Sequence, residues 1–165
     1  MIHKKDDETI PSNYRPITLL NQFSKIFESL IADKIMTWAN NNNTINLEQS
    51  GFRKGRSVND NLYMLTQYIK EELNKTNQVD AIFIDFEKCF DKIWHKGLLF
   101  KLHRLNINPN LLFLIKSYLT NRPNYVSIGE FKSDIFKPEN GVPQGGVLGP
   151  LLFILYVSDL PKLKH

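Results

Sequence analysis

Apolar residues recur at helical spacing in the first half of the chain, and this pattern predicts two helices. The first helix is marked by Leu20, Phe23, Phe27, Leu30, Ile31, Ile35 and Trp38. The second is marked by Val58, Leu62, Leu65, Ile69 and Leu73. The asparagine run 40–43 is expected to end the first helix, and Ser57 followed by Asp60 predicts a capped start for the second.

The second half of the chain combines strand and helix patterns. Residues 79–86 form an apolar run that predicts a fully buried strand, and residues 125–136 predict a hairpin around Ile128, Gly129 and Glu130. Further helices are predicted by Leu98, Leu99, Leu102 and Leu105, and by the run 111–119 after Pro109. Residues 147–157 predict an apolar helix or a buried segment. We therefore expect one compact α+β unit with more helix than strand.

Composition fits a single globular domain. A chain of 165 residues with 42% apolar residues can bury a core by itself. The longest apolar run, Leu151–Val157, is far shorter than the roughly 18 residues of a membrane-spanning helix, and the polar start has no signal-peptide pattern. With one cysteine, Cys89, and four scattered histidines, we expect neither a disulfide scaffold nor a zinc site, and we expect a reducing, intracellular compartment.

Positive charge is concentrated towards the C-terminal end of the chain. Residues 1–100 hold 13 basic and 13 acidic side chains, whereas residues 101–165 hold 8 basic and 4 acidic ones, so the second segment supplies the net charge of +4. This bias permits a polyanionic partner without demonstrating one.

One carboxylate, Asp85, interrupts the apolar run that predicts a strand. A carboxylate at the end of a buried strand can present an oxygen ligand to Mg²⁺, and the alternative is a buried acid satisfied by a cap or a salt bridge. We expect Glu87 to be a solvated turn residue and Asp91 to cap the helix that follows. Because one carboxylate holds a catalytic metal pair poorly, the sequence predicts an incomplete site.

Three further segments combine turn residues with exposed backbone or basic side chains. The stretch GVPQGGVLGP (141–150) holds four glycines and two prolines, and it matches neither the P-loop nor the dinucleotide-binding pattern. The stretches NYRPITLL (13–20) and QSGFRKGRSVNDNL (49–62) contain Arg15, Arg53, Lys54 and Arg56. These four side chains are either solvated surface charges or phosphate clamps, in which the arginine fork binds bidentately.

In chain order, the blocks YRPITLL, QSGFRKGRS, FIDFEKCFD and GVPQGGVLGP resemble the successive sequence blocks of reverse transcriptases. The resemblance is greatest to jockey-like non-LTR retrotransposons and runs from about Ile2 to Pro161. It implies the fingers and part of the palm of a right-hand polymerase. Residues 1–78 would be fingers, and residues 79–165 would be palm with inserted fingers-type helices.

The resemblance assigns roles at the reaction centre. Asp85 matches the first catalytic aspartate of the palm and would bind metal, and the backbone carbonyl of Phe86 would help to hold the same ion. Phe90 matches the aromatic gate that crowds a ribose 2′-OH and so favours deoxynucleotides. The implied cofactor is a pair of Mg²⁺ ions, with Mn²⁺ as a possible substitute.

The resemblance also assigns binding roles. Lys4 and Arg15 match fingers residues that grip the incoming triphosphate. Gln144 and Gly145 would lie in the loop that lines the nucleotide and template pocket. The template side would be contacted by Arg53, Lys54 and Arg56.

Three departures from the family pattern are visible. Cys89 stands where alanine is commoner, a change that should be tolerated, and Gly146 replaces a commoner serine, which we expect to loosen its loop. The paired aspartates that supply the other metal ligands in the family are expected shortly after a segment like YVSDLP, and they do not occur before His165. We therefore expect a truncated polymerase domain that is inactive in isolation and lacks the thumb and endonuclease regions.

The implied activity is extension of a DNA primer with dNTPs on an RNA template, in the nucleus or the cytoplasm. One alternative is a decayed or co-opted copy that only binds nucleic acid through its basic residues. A structural remnant without a ligand is the third possibility.

Overall fold

The computed structural model describes residues 1–4, 6–120 and 122–160, and these ranges contain five α-helices. The helices are α1 (Gln22–Asn41), α2 (Val58–Asn74), α3 (His95–Arg104), α4 (Pro109–Thr120) and α5 (Leu148–Tyr156). The four predicted helices are confirmed, and residues 147–157 form a helix rather than an irregular buried segment. Within the same ranges, no helix combines the length and apolarity that crossing a bilayer requires.

Two short antiparallel ladders supply the strand content. Strand β1 (Ile2–His3) pairs with β2 (Tyr14–Arg15), and β3 (Ser127–Ile128) pairs with β4 (Phe131–Lys132). The second ladder confirms the predicted hairpin, whose turn contains Gly129 at φ +58°. The first ladder was not predicted, because two-residue strands are too short to show an alternating pattern.

The core lies where α3, α4 and α5 pack together with the second half of α1. Its fully buried side chains are Ile35, Ile93, Leu98, Leu102, Ile115, Leu119, Leu148, Leu152, Ile154 and Leu155. Most of these residues come from the predicted helical patterns, and α5 is buried on nearly every side. The arrangement of helices with small sheets agrees with the expected α+β class.

The buried face of α1 differs from the prediction. Phe23, Phe27 and Leu30 are exposed, whereas the buried residues of the helix are Glu28, Ile31, Ile35 and Ala39. The buried positions also recur at helical spacing, so the packed face is rotated relative to the most apolar one. It includes Glu28 because that carboxylate receives the first amides of α5.

The start of α2 matches its predicted cap. The Ser57 amide and hydroxyl donate to the Asp60 carboxylate at 2.6 and 3.2 Å. However, α2 contains no fully buried residue, and Val58, Leu62 and Leu73 of its apolar series are exposed. Local capping therefore stabilises a helix that gains little from packing in this structure.

The predicted buried strand at 79–86 is wrong. These residues have no regular secondary structure, and Ile82, Phe83 and Ile84 are 87%, 84% and 80% exposed. A strand obtains its hydrogen bonds from neighbouring strands, and no segment within the described ranges pairs with this one. Apolar composition alone therefore gave residues 79–86 neither a strand conformation nor burial.

Candidate functional site

A cavity of about 400 Å³ opens between the β1–β2 ladder, the turn after residue 85 and the loop that precedes α5. Its walls are formed by Lys4, Tyr14, Arg15, Pro16, Phe86, Lys88, Cys89, Phe90, Asp91 and Gln144. Five of the ten predicted site residues therefore meet here, although they come from four separate stretches of the sequence. They are Lys4, Arg15, Phe86, Phe90 and Gln144.

The β1–β2 ladder places the first two cations. Ile2 pairs with Arg15 and His3 pairs with Tyr14, and the Lys4 amide then donates to the Asn13 carbonyl at 2.8 Å. Arg15 lies opposite Ile2 and Lys4 lies opposite Asn13, so the two cations stand at opposite ends of this ladder, and both line the cavity. The short ladder thus brings two positive charges to one wall of the cavity.

The turn after Asp85 forms the opposite wall. Lys88 adopts φ +53°, and its carbonyl accepts from the amides of Asp91 and Lys92 at 2.9 and 3.2 Å. Glu87 pairs with Lys92 at 3.1 Å, and this hydrogen bond holds the pKa of Glu87 below its ordinary value. Glu87 is therefore an exposed turn residue, as predicted.

Aromatic contacts fix the rings at this wall. The Phe90 ring lies 5.9 Å from that of Phe52 and 5.5 Å from that of Phe153 on α5. The Phe86 ring meets Phe153 edge-on at 6.1 Å. Offset and edge-on ring pairs at such distances are favourable, so both cavity phenylalanines are tied to the packed helices.

Gln144 is held by both its backbone and its side chain. Its carbonyl accepts from the Thr18 amide at 2.8 Å, and its Nε2 donates to Asp91 Oδ1 at 2.8 Å. The prediction that Asp91 caps the next helix is therefore wrong, because α3 begins later, at His95, with Trp94 in the N-cap position. Asp91 instead orients the glutamine.

The start of the same loop has separate anchors. The Gly141 amide donates to the Ile93 carbonyl at 2.8 Å, and the Val142 amide donates to the Phe90 carbonyl at 2.9 Å. The buried His95 ring places Nε2 2.7 Å from the Gly141 carbonyl oxygen. The loop is thus attached to the segment that carries Phe90.

Gly145 lies in an adjoining cavity of about 210 Å³, which shares Phe90 and Gln144 with the first. Gly145 adopts φ +112°, a conformation that residues with a side chain rarely accept. At Gly146, a Cβ would fall 2.8 Å from Glu28 Oε2 and 2.9 Å from the Tyr118 hydroxyl. The expectation that Gly146 loosens the loop is therefore wrong, because its hydrogen leaves room for a close contact.

Asp85 and its expected metal site lie apart from this arrangement. Asp85 is exposed, lines neither cavity, and makes no hydrogen bond or ion pair with the residues that the structure describes. Those residues also contain no cluster of three metal-ligating side chains. The residues present therefore do not fit a complete two-metal site.

The basic loop at 53–56 lies outside both cavities. Arg53 Nη1 donates to the carbonyls of Asn46 and Gln49 at 3.0 and 3.4 Å, so this side chain braces its own loop. Lys54 and Arg56 are exposed. The Phe52 ring connects the loop to the cavities through its contact with Phe90.

The sequence pattern did not identify Tyr14, Lys88 and Asp91 as cavity residues. Tyr14 stands next to Arg15 in the YRPITLL block, so its neighbour provided a signal. Lys88 reaches the cavity through a positive-φ turn that no periodicity reveals. With Lys88, the cavity wall carries three cations and one carboxylate, and that carboxylate already accepts from Gln144.

Comparison with known proteins gives a consistent result. The sequence model of the family described as reverse transcriptase (RNA-dependent DNA polymerase) matches residues 2–164. The probable RNA-directed DNA polymerase from transposon BS of Drosophila melanogaster is 38% identical over 163 residues, which cover 98% of this chain and 18% of that protein. The RNA-directed DNA polymerase from mobile element jockey of the same species is 36% identical over 162 residues, with the same coverage of each chain.

More distant similarity extends to a retrovirus-related Pol polyprotein from a type-1 retrotransposable element R2 of Nasonia vitripennis. It is 25% identical over 153 residues, which cover 93% of this chain and 14% of that protein. The chain thus spans less than a fifth of the length of each of these relatives.

Proposed function

Because the chain belongs to the reverse transcriptase (RNA-dependent DNA polymerase) family, we propose that its basic cavity receives the incoming dNTP of RNA-templated DNA synthesis. The observation that carries this proposal is the meeting of Lys4, Arg15, Phe90 and Gln144 around one cavity. The proposal treats residues 1–78 as fingers and residues 79–165 as palm with inserted fingers-type helices. The cavity would lie between them.

The charges of the cavity suit a triphosphate. Lys4, Arg15 and Lys88 provide three cations around a volume of about 400 Å³. The arginine fork can bind two phosphate oxygens at once, whereas each lysine acts as a compact charge. The Asp91 carboxylate, which accepts a hydrogen bond from Gln144, offsets part of this positive charge.

Phe90 would act as the gate that selects the sugar. Its ring is half-buried at the cavity wall and contacts Phe52 and Phe153, so it has little freedom to move away from a bound ribose. In this role the ring excludes a 2′-OH and favours deoxynucleotides. Gln144 and Gly145 would line the nucleotide on the other side.

The proposed metal site of the reaction centre involves two neighbouring residues. We assign Asp85 and the Phe86 carbonyl as ligands of Mg²⁺, which Mn²⁺ could replace. Held by a complete set of ligands, such ions would supply activation of a primer 3′-OH and charge stabilisation of a pyrophosphate leaving group. The described residues supply one of the required carboxylates and not the set, so this chain alone is expected to be inactive.

The nucleic-acid partners would be an RNA template and a DNA primer. Lys54 and Arg56 are exposed cations on the loop whose Phe52 contacts the Phe90 gate. That contact places a basic surface next to the proposed nucleotide pocket. Binding there would be dominated by phosphate contacts and would weaken steeply with salt.

Equilibrium titration of the chain with a dNTP and Mg²⁺, and separately with an RNA–DNA duplex, tests the proposal. Arg15→Glu should lower dNTP affinity by at least about tenfold, because it removes a charge-assisted contact worth roughly 1.5–3 kcal/mol. Duplex affinity should fall much less. The control is Lys34→Glu, which also reverses one charge, on an exposed position of α1 outside the cavity.

Two results would overturn the assignment. Equal losses of dNTP and duplex affinity would make Arg15 a general surface charge. Salt-dependent duplex binding by a wild-type chain that binds no dNTP would favour the second candidate function, a nucleic-acid-binding module. The exposed Lys54 and Arg56 are the observation that favours that alternative.

A further inference from the structure

A buried carboxylate on α1 holds the start of α5. Glu28 is only 4% exposed, and its Oε2 accepts from the amides of Val147 and Leu148 at 2.7 and 3.0 Å. The first amides of a helix have no partner within the helix, and the helix dipole favours a negative charge at this end. Glu28 therefore satisfies two donors of α5 from a different helix.

Two neighbours complete the surroundings of this carboxylate. The Tyr118 hydroxyl on α4 donates to Glu28 Oε2 at 3.4 Å, and burial together with the Glu28 charge raises the pKa of Tyr118. Arg122 is half-buried, and burial lowers its pKa while the Glu28 charge opposes that shift. Its Nε and Nη1 have no hydrogen-bond partner among the described residues. A buried carboxylate is tolerated when it is hydrogen-bonded, and Glu28 Oε2 meets this condition through the Val147 and Leu148 amides and the Tyr118 hydroxyl.

Gly146 fits directly against this group. A Cβ at residue 146 would lie 2.8 Å from Glu28 Oε2, 2.9 Å from the Tyr118 hydroxyl and 3.3 Å from Leu20 Cδ1. Any side chain would therefore displace the carboxylate or the hydroxyl. The space between residue 146, Glu28 and Tyr118 thus fits a glycine and no larger residue.

The loop that ends at Gly146 carries Gln144 into the dNTP cavity. Between the Thr18–Gln144 hydrogen bond and the Glu28 contacts at Val147 and Leu148 there are only two residues, Gly145 and Gly146. Glycines have the greatest backbone freedom, so the positions of their neighbours depend on anchors at both ends. Glu28 is the anchor on the α5 side.

We propose that Glu28 is a positioning residue of the dNTP cavity, which fixes Gln144 through the start of α5, and that Gly146 is retained by its fit to Glu28 and Tyr118. The identity of the ligand rests on the function proposed above, whereas the mechanical coupling does not. Glu28 does not line the cavity. It acts through the backbone of residues 144–148.

The coupling is measured by hydrogen–deuterium exchange of backbone amides in the full chain. In Glu28→Ala, the Val147 and Leu148 amides should exchange at least about tenfold faster, since each loses a charge-assisted hydrogen bond worth more than about 1.4 kcal/mol. The Thr18 amide should also exchange faster, because its acceptor is the Gln144 carbonyl. Glu28→Gln keeps an oxygen acceptor and should restore much of the protection, and Glu71→Ala, an exposed change on α2, should have no effect.

The functional consequence is measured by titration. Glu28→Ala should lower dNTP affinity about fivefold or more and leave duplex affinity unchanged, whereas a general loss of folding would lower both. A wild-type chain without dNTP affinity would refute the proposed function but leave the exchange test intact. Unchanged Thr18 exchange in Glu28→Ala would refute the positioning role even if dNTP affinity falls as expected.

The size match has its own test, which remains informative if Glu28→Ala does not fold. Gly146→Ser should reduce dNTP affinity, and adding Tyr118→Phe should recover part of the loss, because it removes the hydroxyl 2.9 Å from the new Cβ. Tyr118→Phe alone should have a small effect, since the hydrogen bond it removes is long, at 3.4 Å. Strictly additive losses in the double variant would contradict the proposed fit.

Discussion

Two apolar segments of similar length meet different fates in this molecule. In α5, residues Leu152 and Leu155 are 0% exposed, whereas Phe83 and Ile84 in the segment 79–86 are 84% and 80% exposed. A helix forms most of its hydrogen bonds within itself, and the ends of α5 have outside partners in Glu28, at its first amides, and Lys101, at its last carbonyl. A strand needs a neighbour along its whole length, and the described part of the chain offers none to residues 79–86.

The same difference divides the candidate site. The proposed dNTP cavity is formed by residues tied to the packed helices, with Phe90 contacting Phe153 of α5 and Gln144 bonded to Asp91 just before the start of that helix. Asp85 lies on the unpaired segment and has no partner within the described residues. Among the described residues, the proposed nucleotide-binding part of the site is therefore assembled, and the proposed metal-binding part is not.

The largest expected effect compares one side chain from each segment. Leu152→Ala should lower the free energy of unfolding by about 2–5 kcal/mol, because it leaves a cavity among fully buried neighbours. Ile84→Ala removes an equally apolar side chain that is 80% exposed, and its cost should stay within about 0.5 kcal/mol. Urea unfolding of the two variants beside wild type measures both values.

The cost of Ile84→Ala also tests whether the segment 79–86 is packed. A loss of more than about 1.5 kcal/mol in Ile84→Ala would mean that the segment 79–86 is packed in solution, as a buried strand would be. The prediction of a strand from the sequence would then be restored. Equal costs in the two variants would remove the distinction between the segments.

The sequence predicted most of what depends on local signals. Sequence pattern identified α1 to α4 as helices and residues 147–157 as either a helix or a buried segment, and Ser57 with Asp60 identified the start of α2. Local signals did not reveal which face of α1 is buried. Glu28 belongs to the buried face because it accepts a hydrogen bond from Val147, which is far from it in the sequence. The strand at 79–86 was predicted wrongly for a related reason, since its formation depends on a partner that its own residues do not encode.

The site was predictable to a different degree in its two parts. Residue resemblance named Lys4, Arg15, Phe90 and Gln144, and these line one cavity. The ladder that positions Lys4 and Arg15, the positive-φ turn at Lys88 and the Asp91–Gln144 hydrogen bond are set by tertiary contacts and short turns. None of these produces a periodic pattern.

A medium effect is expected at the capping box of α2, the other poorly buried segment. Asp60→Ala removes the carboxylate that accepts from the Ser57 amide and hydroxyl, and it should cost about 1 kcal/mol. Because α2 has no fully buried residue, the loss should appear as fraying of this helix rather than as global unfolding. Amide exchange within 58–74 measures the change, with the exposed neighbour Asn59→Ala as the control. Unchanged exchange would show that packing absent from this structure stabilises α2.

The smallest expected effect lies where the two compared regions meet, in a groove lined by Phe86 and the end of α5. Lys101 Nζ donates to the Tyr156 carbonyl at 2.9 Å and to Asp159 Oδ1 at 2.6 Å, and the latter hydrogen bond lowers the pKa of Asp159. A lowered carboxyl pKa contributes stability that is present above the ordinary value of 3.8 and is lost as pH falls through the lowered value.

Because the Asp159 side chain is 77% exposed, solvent screening should limit the contribution of its hydrogen bond with Lys101 to a few tenths of a kcal/mol. Asp159→Asn should therefore be slightly less stable than wild type at pH 7, and the two should converge at an acidic pH below the lowered pKa of Asp159. Unfolding curves at both pH values measure this, with the exposed Asp134→Asn as the control. A difference above about 1 kcal/mol at pH 7 would mean that the groove is closed in solution and that the segment containing Phe86 packs against α5 more fully than it does here.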